Sequence, residues 1–314
     1  MVIKKEELFF DSKDKIGRIY ARLWLPEQPR CVIQICHGMA EHISRYEQMA
    51  VFLAENNIAV CGIDWPGHGK SVGKDQVLGY INEKNGWELA AADHLQLKHI
   101  MQKNFADLPY FLFGHSMGSF MSRYIAAKYN DEAFAGFIWS GTAGTNKQLG
   151  AALRLAKAEV RLRGAKAPSR LLNHLSFGAY NKHFKPARTE FDWLSRDTKQ
   201  VDKYIEDPFC GFCFTAGGFL NLFLALQYLQ TTEWAGAVPD LPILIYGGTA
   251  DPVGNCGNGI LEVVDALDNH GHTQVKYKLF DYCRHEVHNE LNPQEAYNFI
   301  LNWIFHHLNI KTED

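Results

Sequence analysis

The stretch Tyr110-Phe-Leu-Phe-Gly-His-Ser-Met-Gly118 decides how this chain is read. Its short apolar, aromatic run predicts a buried strand over Tyr110 to Phe113, and the residues from Met117 to Tyr129 have helical periodicity. Between the two lies a G-x-S-x-G pentapeptide at a strand-to-helix turn. In so sharp a turn the serine hydroxyl is pushed clear of the sheet edge, and glycines flank it because no Cβ fits there. The pentapeptide alone is weakly specific. Its place between strand and helix makes Ser116 a candidate nucleophile.

Similar runs predict strands at Arg18 to Leu25, Cys31 to Cys36, Ile58 to Ile63 and Ala135 to Trp139, with helices near Arg45 to Glu55 and Trp87 to Met101. Such alternation implies a mostly parallel sheet flanked by helices, an α/β architecture. The pattern stops after Gly141. It resumes at Leu241 with a strand ending at Tyr246, a helix near Gly259 to Leu267, the strand Val275 to Phe280 and a helix Pro293 to Leu308. The simplest arrangement is one sheet domain, residues 1–141 and 239–314, interrupted by an inserted helical cap, residues 142–238.

A serine hydroxyl needs a base, and the base needs an orienting carboxylate, expected later in the chain in the order Ser, Asp, His. Asp251 follows the strand run Ile243 to Ala250, and His285 lies in the loop Asp281 to Glu286 after the next strand. Both therefore fall at carboxyl ends of strands, where loops of such sheets converge on a ligand. The oxyanion of acyl transfer requires two backbone N–H groups. The residue after the serine, Met117, is one; Met39, in the turn His37-Gly-Met39 after Cys31 to Cys36, is the other, with His37 and Gly38 shaping that turn.

Other chemistries fit less well. His285-Glu-Val-His288 spaces its histidines by three, where a zinc helix of the HExxH type spaces them by four, so no metal is expected. His115 is expected to be structural. Gly67-His-Gly69 does not continue as a G-x-G-x-x-G phosphate-binding pattern and reads as a turn. Cys210-Gly-Phe-Cys213 has no second pair to complete a zinc site and reads as packing. No cofactor is implied, and nothing points to nucleic acid.

The chain has 314 residues, 46% of them hydrophobic and 21% charged, enough to bury a sizeable core. The start, Met1 to Phe10, lacks the apolar region of a signal peptide, and no apolar run reaches membrane-spanning length. Seven cysteines, an odd number in apolar surroundings, suit buried free thiols and a cytoplasmic protein. Between Lys147 and Arg188 stand ten basic residues and one acid, against a net charge of −3 for the whole chain. Leu149, Leu153, Ala156 and Val160 recur at helical spacing with Arg154, Lys157 and Arg161 beside them. This basic amphipathic helix reads either as a solvated face or as a peripheral contact with an anionic membrane.

These residues resemble the monoacylglycerol lipase and lysophospholipase group of α/β-hydrolases, classed in some bacteria as serine aminopeptidase S33-like. His37-Gly-Met-Ala-Glu-His-Ile-Ser-Arg-Tyr46 resembles the group's HGxxEHxxRY segment, Asp64-Trp-Pro-Gly-His-Gly-Lys-Ser71 its DxxGHGxS turn, and Gly114 to Gly118 its nucleophile turn. Asp251-Pro-Val and Arg284-His-Glu-Val-His-Asn-Glu290 resemble its acid and histidine loops. The resemblance implies an α/β-hydrolase fold, an inserted lid, and catalytic roles for Ser116, Asp251, His285, Met39 and Met117. Leu194 to Asp197 and Asp207 to Thr215 look more like bacterial lysophospholipase-like members.

The expected activity is hydrolysis of single-chain acyl esters, monoacylglycerol or lysophospholipid, through an acyl-enzyme on Ser116. Phe209, Phe212, Phe214, Phe219 and Phe223 are candidates to line an acyl channel or to pack the cap. Two alternatives stay open: an amidase or aminopeptidase with the same triad, and a catalytically silent binding protein. For an amine, Asp192, Asp197, Asp202, Glu206 and Asp207 are available carboxylates. Oligomeric state is undetermined by sequence.

Overall fold

The computed structural model describes residues 2–74 and 76–309. The order of elements is β1 (Ile3–Asp11), β2 (Arg18–Pro26), β3 (Cys31–Cys36), α1 (Glu47–Glu55), β4 (Ile58–Ile63), α2 (Gly86–Gln102), β5 (Tyr110–His115), α3 (Met117–Lys128) and β6 (Gly136–Ser140). After β6 come α4 (Leu149–Arg163), α5 (Arg170–Phe177), α6 (Thr198–Glu206), α7 (Ala216–Leu229) and α8 (Glu233–Ala237). The sheet then resumes with β7 (Ile243–Gly248), α9 (Asn258–Asp268), β8 (Val275–Phe280) and α10 (Pro293–His307). The sheet order is β1-β2-β4-β3-β5-β6-β7-β8. From β4 to β8 all pairings are parallel, while β2 runs antiparallel to β4 and β1 antiparallel to β2.

Alternation along the central strands divides the core. Val32 and Cys36 of β3 pack on the face covered by α2, α3 and α9, whereas Ile33 and Ile35 pack on the face covered by α1 and α10. Strands β3 to β7 are buried along their whole lengths, which is why they read as unbroken apolar runs. The helices α4 and α7 between β6 and β7 extend the first of these cores: Leu149, Leu153 and Ala156 join Phe219, Leu222 and Phe223 in it.

Three expectations need correction. β1 was not anticipated, because it is an edge strand whose side chains are mostly exposed and only Phe10 is buried. The buried stripe of α4 runs through Leu149, Leu153 and Ala156 to Glu159, leaving Val160 only half-buried. A helix advances about 100° per residue, so a small rotation puts Glu159 inward; its carboxylate lies 3.7 Å from the Arg163 guanidinium. Finally, all seven cysteines are free, but Cys256 is exposed and Cys213 half-buried.

Candidate active site

Ser116 sits between β5 and α3 with φ 52° and ψ −121°, a conformation strained for any residue with a Cβ. The cause is close packing around the turn. A Cβ on Gly114 would strike the backbone of Gly118, and one on Gly118 would strike the Cys36 and His37 carbonyls, so both glycines are steric necessities. Backbone bonds lock the turn: Ser116 N donates to Ser140 O at 2.9 Å, and the Ser119 hydroxyl donates to Ser116 O at 2.6 Å.

His285 and Asp251 meet beside this turn. His285 Nδ1 and Asp251 Oδ2 are 3.0 Å apart, and the two residues are only 2% and 0% exposed. Asp251 Oδ1 accepts Val253 N at 2.9 Å, fixing the carboxylate. Burial opposes the imidazolium of His285, but the Asp251 charge and hydrogen bond outweigh it, so the pKa is raised above 6.5. Since the carboxylate accepts, Nδ1 carries the proton and Nε2 is left free as a base. A Cβ on Gly141 would come within 3.1 Å of His285 Nδ1, so the β6 end approaches the ring closely.

The turn after β3 is held open by its own side chains. Trp65 N donates to His37 Nε2 at 3.1 Å, which leaves the Nδ1 proton for Gly38 O at 2.8 Å. Gly38 N donates to Glu41 Oε1 at 2.5 Å. Among the described residues, Met39 N and Met117 N have no hydrogen-bond partner. A Cβ on Gly38 would lie 3.3 Å from Ser116 Cβ, so this turn flanks the serine.

Residues that sequence reasoning missed tie these loops together. Arg45 donates to Glu41 at 2.6 Å and to both carboxylate oxygens of Glu286 at 2.7 Å, next to His285. Tyr46 OH donates to Glu41 at 2.8 Å. The segment Asp192 to Arg196 clips onto the histidine loop: Glu286 N donates to Leu194 O at 2.8 Å, Ser195 Oγ to Asn289 O at 2.8 Å, and Arg196 Nε to Glu290 at 2.8 Å. Trp193 packs over the His285 ring at 5.2 Å. Only a charged residue embedded in a motif, such as Glu41 or Arg45, could have signalled this; the partners lie far off in sequence.

His115 is buried, 3.3 Å from Ser140 Oγ, with its ring 4.6 Å from those of His285 and His288. His288 stacks on Tyr46 at 5.0 Å. His68, in the turn read as structural, is buried between Gly67 and Gly69, both at positive φ. Of the five phenylalanines, Phe212, Phe214, Phe219 and Phe223 form one file with neighbouring centroids 5.6 to 6.0 Å apart. Phe214 and Phe219 are fully buried, Phe212 is half-buried, and Phe209 stands apart beside His42 and is exposed.

Known proteins are similar to this chain over nearly its whole length. The monoglyceride lipase of Homo sapiens is 29% identical, the match covering 93% of this chain and 86% of that protein. The monoacylglycerol lipase of Mycolicibacterium smegmatis is 28% identical, covering 93% and 94%. A thermostable carboxyl esterase from Bacillus coagulans, solved with glycerol, superposes with a TM-score of 0.91 at 30% identity, covering 98% of this chain and 100% of that one. The fold is that of the α/β-hydrolases. The family model described as serine aminopeptidase, S33 matches residues 27–292, and the chain belongs to that family.

Proposed function

We propose that the chain hydrolyses carboxylic esters of monoacylglycerol-type lipids, with Ser116 as nucleophile, His285 as base and Asp251 as its orienting acid. The observation that carries this reading is the buried 3.0 Å contact between His285 Nδ1 and Asp251 Oδ2, at loop ends beside a serine held at positive φ. The ester-hydrolase class rests on the lipase and esterase relatives.

In this mechanism Ser116 Oγ attacks the ester carbonyl while His285 Nε2 takes its proton. Asp251 stabilises the imidazolium that forms. The unpartnered N–H groups of Met39 and Met117 are suited to receive the oxyanion, since neither has an internal acceptor to give up. His285 then protonates the departing alcohol, and water, deprotonated by the same nitrogen, releases the fatty acid. Residues 142–238 act as the cap over this site, with the acyl chain laid against Phe212 at the accessible end of the aromatic file.

A peptide substrate would require a carboxylate for its free amine. Of the five candidate carboxylates named for this role, four are already engaged: Asp192 with Arg188 N and Thr189, Asp197 with Lys199 N, Asp202 with Arg188, and Asp207 with His42 and Phe209 N. That favours the ester. All ten basic residues from Lys147 to Arg188 are exposed, and Leu162, Leu171 and Leu175 are exposed among them. Such a surface fits peripheral contact with anionic lipid. Fluorophosphonate labelling, followed by assays on monoacylglycerols, lysophospholipids and aminoacyl amides, tests the assignment: monoacylglycerol should turn over fastest, and turnover of the amide alone would refute it.

A further inference from the structure

Away from the triad, the turn after β3 meets the cap at a second cluster. The Ala40 carbonyl accepts hydrogen bonds from Gly211 N and from Tyr204 OH, both at 3.0 Å. Beside this junction His42 Nε2 lies 2.9 Å from Asp207 Oδ2. Donor atoms of His42, Asp207 and Cys210 all lie within 4.8 Å of one another, the one such group of three among the described residues. The Cys210 side chain is 9% exposed and has no hydrogen-bond partner among the described residues, so its thiol is left without a polar role.

Access suits a cation. His42 and Asp207 line an open cavity of about 700 Å³ that Arg45, Glu47, Lys203 and Glu206 share. An imidazole, a carboxylate and a thiol together select a borderline-soft divalent ion over magnesium or calcium. Zinc bonds of about 2.0 to 2.3 Å need ligand atoms roughly 3.3 to 3.8 Å apart, a rearrangement of about 1 Å from this geometry.

We propose that His42, Asp207 and Cys210 form a binding site for a zinc-class divalent cation, completed by water, which staples the cap to the turn that carries Met39. Binding releases the Cys210 thiol proton to solvent and moves the His42 Nε2 proton to Nδ1, so affinity rises with pH. The ion takes no part in acyl transfer. It joins Asp207 and Cys210, at the end of α6, to a segment three residues beyond Met39, and so it stabilises the closed junction.

The whole chain, stripped with chelator, is titrated with cobalt as a spectroscopic probe and then with zinc. The expected result is a sulfur-to-cobalt charge-transfer band that saturates at a single equivalent, disappears when zinc displaces the cobalt, is absent in Cys210→Ser and persists in Cys256→Ser. Zinc should raise the melting temperature of the parent but not of Cys210→Ser. No band in the parent, or a band that survives Cys210→Ser, overturns the site. Asp207→Asn retains every thiol and should bind at least about tenfold more weakly, since even outer partners of a metal are worth that much; unchanged affinity would also overturn it. The readout needs no ester turnover, so it stands or falls separately from the catalytic reading.

Discussion

Arg45 grips Glu286 through two parallel hydrogen bonds of 2.7 Å, joining the turn that carries Met39 to the loop that carries His285. A third bond, to Glu41 at 2.6 Å, completes a buried charge triad in which one guanidinium bridges two carboxylates. Burial pushes both carboxyls up; Arg45 outweighs it at Glu286, whose pKa is held below the usual range, but not at Glu41. Arg45→Met would leave two unpaired buried acids, a change expected to cost about 3–5 kcal/mol. Denaturant unfolding should show that loss, and the double variant Arg45→Met/Glu286→Gln should recover part of it. A single variant as stable as the parent would mean the triad contributes nothing.

Strain at Ser116 gives a second expectation. Ser116→Ala should abolish ester turnover and fluorophosphonate labelling while the fold persists. Ser116→Gly should be equally inactive yet more stable than Ser116→Ala by about 1 kcal/mol, because glycine alone tolerates φ 52°, ψ −121° without a steric cost. Equal unfolding midpoints for the two variants would show that the turn is unstrained.

The pH dependence follows from His285. In the proposed mechanism catalysis needs its neutral imidazole, and although burial lowers its pKa, the Asp251 charge and hydrogen bond raise it above 6.5. Activity should therefore fall as pH drops through that raised value. Asp251→Asn removes the charge that raises it, so the acid limb of kcat/KM should shift to lower pH while kcat falls roughly 10³- to 10⁴-fold. A profile unchanged by Asp251→Asn would point to a different carboxylate.

The proposed acyl transfer through Ser116 calls for no metal ion. Prolonged EDTA treatment should leave the turnover of a short soluble ester unaltered, as measured by initial rate. Loss of activity restored by zinc would place a metal in the reaction itself.

The basic surface of α4 makes an interfacial prediction. Binding to vesicles should rise with anionic lipid content and fall with added salt, since each basic residue near such a surface contributes about 1 kcal/mol. Charge reversal at Arg154, Lys157 and Arg161, all exposed, should weaken vesicle binding and slow turnover of dispersed lipid without changing hydrolysis of a short soluble ester. Equal vesicle binding by the triple variant and the parent would leave the helix as a solvated face.

What the sequence by itself determined was the set of short buried strands, and it named the candidates at their ends. Strands β3, β4 and β8 were read to the residue, because burial or alternation writes itself into a short run. Ser116, Asp251 and His285 were named from their places after strands, and G-x-S-x-G explained its own glycines. Strand β1 escaped because an edge strand rich in charged residues has no continuous apolar run. Tertiary structure alone decided the long-range pairings: Arg45 with Glu286, Arg196 with Glu290, Trp193 over His285, and His42 with Asp207 beside Cys210. Those partners are 92 to 241 positions apart, apart from the neighbouring Asp207 and Cys210. No local periodicity links residues that distant; a side chain finds them only when the sheet has brought its loops to one edge.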